Sequence, residues 1–299
     1  MFERVILRLV KKKIYNEVYE EVYPGKNVLF GNEIFTIKTY DSDLEYLLIQ
    51  KIGYPEVYKY NGTIKLITEN INSFCEWHNG PLDEVDDPTK RFYCPISSEG
   101  FCSKHKRSDR AIYSLCLSYR GEKALEACKT IDKKITKGEY IVYLIDYGGQ
   151  LPKVGTTRKF RLLERIAEQP HIIATQLYLT DSLYKARLME MNISKSGLAN
   201  ELWRHRWIST ENLYNSIIKI KDMADKILKK FDIKEEIKLF RIRQPKINFI
   251  QGDLSNKELK LNGAWGGYLI LSDMKYNYIY SESQLLHKDS ILINNEIKL

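Results

Sequence analysis

Residues 140–165 read YIVYLIDYGGQLPKVGTTRKFRLLER. Tyr140–Ile145 is β-branched and aromatic, the composition of a strand. Tyr147-Gly148-Gly149 supplies a turn. A second strand is expected to end in Lys153-Val154-Gly155, with a basic helix following. Strand, glycine turn, strand and helix thus meet around Tyr143, Gly155 and several Arg. That set of groups suits the handling of a phosphate.

Outward from this stretch, 138–195 reads as strand, strand, helix, strand, helix. The third strand is placed at Ile172–Leu179, and Asp181 is the expected N-cap of the last helix. Residues 196–240 read as helical. Ser209-Thr210 marks a start before Leu213, and Lys219–Phe231 is clearly periodic. The first 70 residues alternate and turn often. Asn61-Gly62 is the strongest hairpin signal in the chain, and one helix is expected at residues 43–52. Ser108–Tyr119 and Gly121–Ile131 read as helices. From 237 onward YLILSD, YNYIYS and SILINNEIKL return to strands. The segment Gly263–Tyr268 reads as a tight hairpin or barrel corner, since no helix start follows it and a phosphate loop needs one. The fold class is α+β. Four stretches are expected: a β-rich 1–70, a Cys/His module 71–137, an α/β core with helical extension 138–236, and a β-rich 237–299 packing with 1–70.

The chain has 299 residues and 43% hydrophobic residues, too many for a disordered protein. No apolar run is long enough to span a bilayer. The opening MFERVILRLVKKK places its charges after its apolar residues, so it does not read as a signal peptide, and a cytoplasmic location is expected. Net charge is +8, which favours an anionic partner, DNA or RNA, over a membrane. The charge is uneven. Lys104–Lys134 holds nine basic and four acidic residues, and Ile217–Lys246 ten and five, whereas Glu76–Pro88 is acidic. High Ile, Lys and Tyr with little Gln is the composition of a thermophile.

Cys75-x2-His78, Cys94 and Cys102-x2-His105 put five ligand types within 31 residues. Two C-x2-H steps are spaced for tight turns that present ligands to one ion. Tetrahedral zinc takes four of them, so one is spare, His78 or Cys94. A closed four-ligand site is structural rather than catalytic. Cys116 and Cys128 lie in apolar helical patterns and read as small core residues. Trp203-Arg204-His205-Arg206-Trp207 interleaves aromatics with cations. It suits backbone grip and base stacking, and equally a helix end whose Trp residues fill a core.

Ile141-Val142-Tyr143 and Lys153-Val154-Gly155 resemble the core of the GIY-YIG nucleases, and the resemblance extends to Arg165 and to Glu190 in Ala186-Arg187-Leu188-Met189-Glu190. Over most of its length the chain resembles an uncharacterised, mainly archaeal family. The shared features are a Cys/His-rich segment with Cys94-Pro95, the core Tyr143 with Lys153–Arg158, the turn Arg165–Gln169, the Arg187–Glu190 helix and Gly263–Ile270. The resemblance implies that Tyr143 helps activate a water, that Arg165 steadies phosphate charge, and that Glu190 holds a divalent ion, Mg2+ or Mn2+. With it, Lys153, Gly155, Arg158 and Arg161 are expected to face the nucleic acid, and the composition of 203–207 adds Trp203, Arg204 and Arg206 as expected contacts. Two positions depart from the pattern. Lys153 stands where a second Tyr is found, and Gln169 where a His or Tyr is found.

Three functions follow as expectations. The first is a metal-dependent phosphodiesterase on DNA or RNA. The second is a non-catalytic, zinc-containing nucleic-acid-binding protein, associated with ribosomal or transfer RNA. The third is a protein-interaction scaffold. They divide on geometry: catalysis needs Tyr143, Arg165 and Glu190 on one open cleft, and a Glu190 buried against an Arg argues against it.

Overall fold

All seven residues of the strand β7 (Tyr140–Asp146) are buried, so both faces of this strand are covered. That is why its sequence is a continuous apolar run rather than an alternation. It lies between β8 (Lys153–Arg158) and β9 (Ile173–Thr180), both antiparallel to it. The second strand thus begins at Lys153 instead of ending near it. β9 pairs with β10 (Leu239–Ile242), and β10 pairs in parallel with β2 (Phe35–Lys51), so the sheet is mixed. β1 (Glu3–Val22) neighbours β2. These coordinates are a computed structural model that describes residues 3–24, 33–51, 57–60, 62–65, 73–82, 94–96, 100–135, 137–201, 212–244, 249–250, 254, 257–281 and 289–292.

The described chain is a mixture of helices and sheets that divides into two compact units, each discontinuous in sequence. One comprises Met1–Ile14, Asp43–Tyr113 and Pro245–Leu299, and the other Tyr15–Ser42 and Ser114–Gln244. β7 to β10 belong to the second unit. On one face of its sheet Ile141, Tyr143 and Ile145 pack with Tyr40, Ile166, Ala167, Ala174, Phe240 and Ile242. The helix α3 (Leu162–Ala167) supplies Ile166 and Ala167 to this core, after a single 3-10 turn at Lys159–Arg161. The helices α4 (Leu183–Lys195) and α5 (Leu213–Lys230) also pack on the sheet.

α4 is capped by Ser182, one residue after the expected Asp181. The Ser182 hydroxyl accepts from the Lys185 N–H at 3.1 Å and donates to Asp132 at 2.6 Å. The second Asp132 oxygen takes the Leu183 N–H at 2.6 Å. A carboxylate at a helix N-terminus meets unpaired N–H groups and the positive dipole end. Asp132 closes α2 (Glu122–Asp132), so the contact joins two helices. α5 is capped by Asn212 and buries Tyr214, Ile217, Ile220, Ala224 and Ile227 at helical spacing. The Ser209-Thr210 start lies outside the described residues. The helical reading to 240 is too long, because Asp232 takes φ +50° and the Ile233 N–H turns back to Leu228 O at 2.9 Å. Asp tolerates that left-handed geometry better than most residues and ends the helix.

Cys116, on α1 (Asp109–Ser118), and Cys128, on α2, form a disulfide. Both are buried core residues, as expected, and α2 places the second beside the first so that the two are also bonded.

In the first unit β11 (Glu258–Trp265), β12 (Tyr268–Ser272) and β13 (Asn277–Ser281) form an antiparallel meander, with β4 (Thr63–Lys65) on β11. Gly266 and Gly267 take φ +59° and +81° between Trp265 and Tyr268. Two positive φ values in a two-residue loop match the twist of a hairpin, and glycine reaches them without strain. Glu3–Ile6 of β1 pairs with β14 (Asp289–Leu292). The short β5 (Ser73–Phe74) and β6 (Pro95–Ile96) pair with each other.

One local expectation fails in this unit. The helix expected at residues 43–52 is a strand through Lys51, since Leu47–Gln50 pairs with β3 (Val57–Tyr60). Cross-strand pairing outweighs a short helical periodicity. The hairpin expected at Asn61-Gly62 lies partly outside the described residues, and the strands flanking it belong to different sheets. β3 pairs with β2, and β4 pairs with β11. Among the described residues no helix is long and apolar enough to cross a membrane.

Candidate functional site

Two sites emerge, one in each unit. In the first unit the strand pair β5–β6 brings the Cys75 N–H to the Cys94 carbonyl at 2.9 Å. The turn after Cys102 is closed by bonds from His105 N–H and Lys106 N–H to Cys102 O, at 3.0 and 2.9 Å. These two local structures aim their side chains at one point. His105 Nδ1 lies 3.7 Å from Cys75 Sγ, 3.7 Å from Cys94 Sγ and 3.3 Å from Cys102 Sγ. Cys75, Cys102 and His105 form a cluster that could hold a metal ion, and Cys94 stands beside it. The three thiols are free of disulfides. His78 is buried but is not part of the cluster.

The surroundings of the cluster are built to hold it. The Cys102 N–H reaches Cys75 Sγ at 3.3 Å. Burial pushes the Cys75 and Cys94 thiols up. Against burial, the N–H groups of His105 and Lys104 hold the Cys102 thiol down. Trp77 stacks on the His105 ring, with centroids 4.4 Å apart and planes 8° from parallel. Arg110, buried at the start of α1, donates to the carbonyls of His78, Gly80 and Pro81 at 3.2, 2.8 and 2.7 Å. Its guanidinium organises the loop after the first Cys-His step. Neither Trp77 nor Arg110 carries a sequence signal for these roles.

In the second unit Tyr143 and Gly155 face each other across β7 and β8. A Cβ on Gly155 would lie 2.5 Å from the Tyr143 oxygen and 2.6 Å from Cζ, so only glycine lets the ring cross the neighbouring strand. Gln169, at the end of α3, bridges two of the expected site residues. Its Nε2 donates to the Tyr143 oxygen at 3.1 Å, and its Oε1 accepts from Lys153 Nζ. Its own place is held by a bond to Arg165 O at 2.9 Å. The next residue but one, His171, donates from Nδ1 to Gln169 O at 2.8 Å and accepts the Ile242 N–H at Nε2, 2.9 Å. That bonding assigns the neutral Nδ1–H tautomer and ties the end of the helix to β10.

This polar cluster is crowded with cations. Burial first, and then Arg165, push the Lys153 ammonium down to about 7, against Glu190 and Glu168. Burial raises the Tyr143 phenol, and Glu190 adds to that while Arg165 and Gln169 oppose it. The sequence-predicted Tyr143, Lys153, Arg165 and Glu190 therefore interact electrostatically in one place. Tyr143, however, is 1% exposed and Glu190 4%. Arg187 Nη1 lies 2.5 Å from a Glu190 oxygen, and both side chains are buried. Arg187 also donates to Cys116 O at 3.2 Å and Tyr119 O at 3.1 Å. The carboxylate expected to hold a catalytic ion is instead in a buried ion pair. The i,i+3 spacing of Arg187 and Glu190 was visible in the sequence, but its burial was not.

The remaining expected contacts are divided. Arg158 is 5% exposed and lies over the Tyr140 ring, 4.4 Å from the centroid, in space left by Gly138. It is a packed cation–π partner, which corrects its reading as a nucleic-acid contact. Arg161 pairs with Glu164 and Glu168, at 3.2 and 3.6 Å, and Arg165 with Glu168 at 2.6 Å. Lys159 pairs with Glu139 at 2.7 Å. The cations of this basic segment are therefore paired with Glu139, Glu164 and Glu168. Trp203, Arg204 and Arg206 lie outside the described residues. Comparison of the chain with protein-family models, curated proteins and solved structures returns no match.

Proposed function

We propose that this protein binds nucleic acid without cutting it, through a zinc-stabilised module joined to a GIY-YIG-like core. The observation that selects binding over hydrolysis is the Arg187–Glu190 pair. A carboxylate that serves a divalent ion must reach solvent and give up its protein partner, whereas Glu190 is buried at 2.5 Å from a guanidinium that two carbonyls hold in place. Removing such a carboxylate from its partner leaves a buried charge uncompensated, at a cost of about 3–5 kcal/mol. The nucleic-acid half of the reading is supported by the net charge of +8 and by the resemblance of Tyr143, Gly155 and Arg165 to the nuclease core.

Zinc fits the Cys/His cluster. Tetrahedral ligands at about 2.3 Å for sulfur and 2.0 Å for nitrogen stand about 3.5 Å apart. The three sulfur distances to His105 Nδ1, 3.3–3.7 Å, bracket that separation. Cys75, Cys94, Cys102 and His105 would complete a closed site, leaving His78 as the spare. Zinc there would cross-link β5, β6 and the turn at Cys102 and would supply no open position for chemistry.

The test is binding of labelled single-stranded RNA, duplex RNA and duplex DNA across a salt series, followed by incubation with Mg2+ or Mn2+. Binding that weakens with salt, with intact product strands, is expected. Absence of binding at low salt would remove the nucleic-acid reading and leave the scaffold. Cleavage that disappears in Glu190→Gln and Tyr143→Phe would restore the phosphodiesterase.

A further inference from the structure

We infer that the metal-cluster turn Ser103–Arg107, rather than the basic helix α3, grips the phosphate backbone; this rests on the nucleic-acid reading above. The turn carries Lys104, Lys106 and Arg107, all exposed. None of the three makes an ion pair or side-chain hydrogen bond among the described residues. Residues 101–108 contain no acid. The basic groups around α3 are answered locally. Lys159, Arg161 and Arg165 have Glu139, Glu164 and Glu168. On α2, Lys123 and Lys129 make no ion pair among the described residues, but Glu122 and Glu126 on the same helix offset their charge, whereas the turn has no acid of its own. A cation already paired must break that pair to bind phosphate, so unpaired cations contribute more per contact.

The turn is also rigid. His105 and Lys106 N–H bond to Cys102 O, and Ser108 N–H and Oγ bond to His105 O at 3.0 and 2.7 Å. Trp77 stacks on the ring at its centre. Three cations on a fixed loop lose little backbone entropy on binding. Three thiolates and a neutral imidazole on a 2+ ion would leave the centre at about −1. The turn exceeds that charge and presents a net positive surface. Closely spaced point charges without a base-stacking platform suit backbone contact, which implies little sequence preference.

The test uses the full chain, purified with its metal. Binding of fluorescein-labelled single-stranded RNA and of a labelled DNA duplex is measured across a salt series for wild type and for Lys104→Gln/Lys106→Gln/Arg107→Gln. The control, Lys123→Gln/Lys129→Gln/Lys133→Gln on α2 and its C-cap, removes the same charge. The turn variant is expected to lose at least about tenfold in affinity and to lower the duplex salt slope by about 3, with metal content unchanged. The α2 control is expected to stay within about threefold of wild type. If the turn variant loses metal, Lys106→Gln/Arg107→Gln is the readout, with a slope loss of about 2. Wild-type binding that survives in the turn variant, or falls equally in both variants, overturns the inference and leaves the nucleic-acid reading standing. No wild-type binding at low salt removes that reading itself, and the inference with it. Displacement of bound RNA by polyglutamate as readily as by unlabelled RNA would assign the turn to acidic protein segments and overturn the proposal.

Discussion

The Tyr143 ring lies over Gly155, and the energetics of that fit are open to measurement. Gly155→Ala puts a methyl within 2.6 Å of the ring, with backbone on both sides, so the ring must move. A loss of about 1–3 kcal/mol in urea unfolding is expected. Tyr143→Ala costs stability of its own but opens the space, so the pair should couple by more than about 1 kcal/mol in a double-mutant cycle. Lys153 offers a pH experiment at the same scale. Its folded value is about 7 against 10.5 for an ordinary lysine. Between those values the unfolded chain binds the proton that the folded one has shed, so this residue's contribution to stability rises with pH from about 7 to about 10. Below 7 the folded protein must bury the ammonium. Lys153→Met is therefore expected to be more stable than wild type at pH 6, by about 1–2 kcal/mol, with the advantage shrinking by pH 9. An advantage that grows with pH would show that Lys153 is charged and well paired in the fold. Arg165, in the same cluster, keeps its charge throughout and does not blur the reading.

At the scale of elements, two joints set the position of α4 and with it of Glu190. One is Asp132, which caps the helix through Ser182 Oγ and Leu183 N–H. Asp132→Ala removes both bonds, and a loss of about 1–2 kcal/mol in thermal unfolding is expected, with Ser182→Ala costing about 1 kcal/mol. The other is the Arg187 guanidinium on the carbonyls of Cys116 and Tyr119, beside the Cys116–Cys128 disulfide. The disulfide closes a loop with a separation of 12 residues, for which chain entropy gives about 3 kcal/mol. Thiol titration of the unfolded, chelated protein should count the three free cysteines before reduction and two more after it. Five thiols before reduction would show that the pair is a simple buried contact, as the sequence pattern suggested.

At the scale of the whole molecule, each unit has its own source of stability. The second unit rests on an apolar sheet whose strand β7 is covered on both faces, and the first contains a Cys/His cluster that could hold a metal ion. Chelation should therefore raise amide exchange in residues 73–82 and 100–110, while β7 and β9 stay protected, with about one zinc per chain released. Cys102→Ser should behave like chelation, and His78→Ala should keep its metal. Equal exchange throughout after chelation would mean that the ion supports both units. The order of elements from Tyr140 to Lys195 is legible in the chain, because long apolar and periodic runs declare themselves locally. So are the ligand types around Cys75 and His105, because their spacing is a local turn geometry. Local strength misled where partners are distant. Residues 43–51 are strand, with Leu47–Gln50 paired to β3, and the strands flanking the expected hairpin at 61–62 belong to different sheets. It took the assembled fold to show that Cys75, Cys102 and His105 converge, that Arg158 is packed on Tyr140, and that Glu190 is closed by Arg187. The reason is physical: whether a charged side chain is free or paired depends on burial and on groups far along the chain, and these exist only once the sheet and helices have assembled.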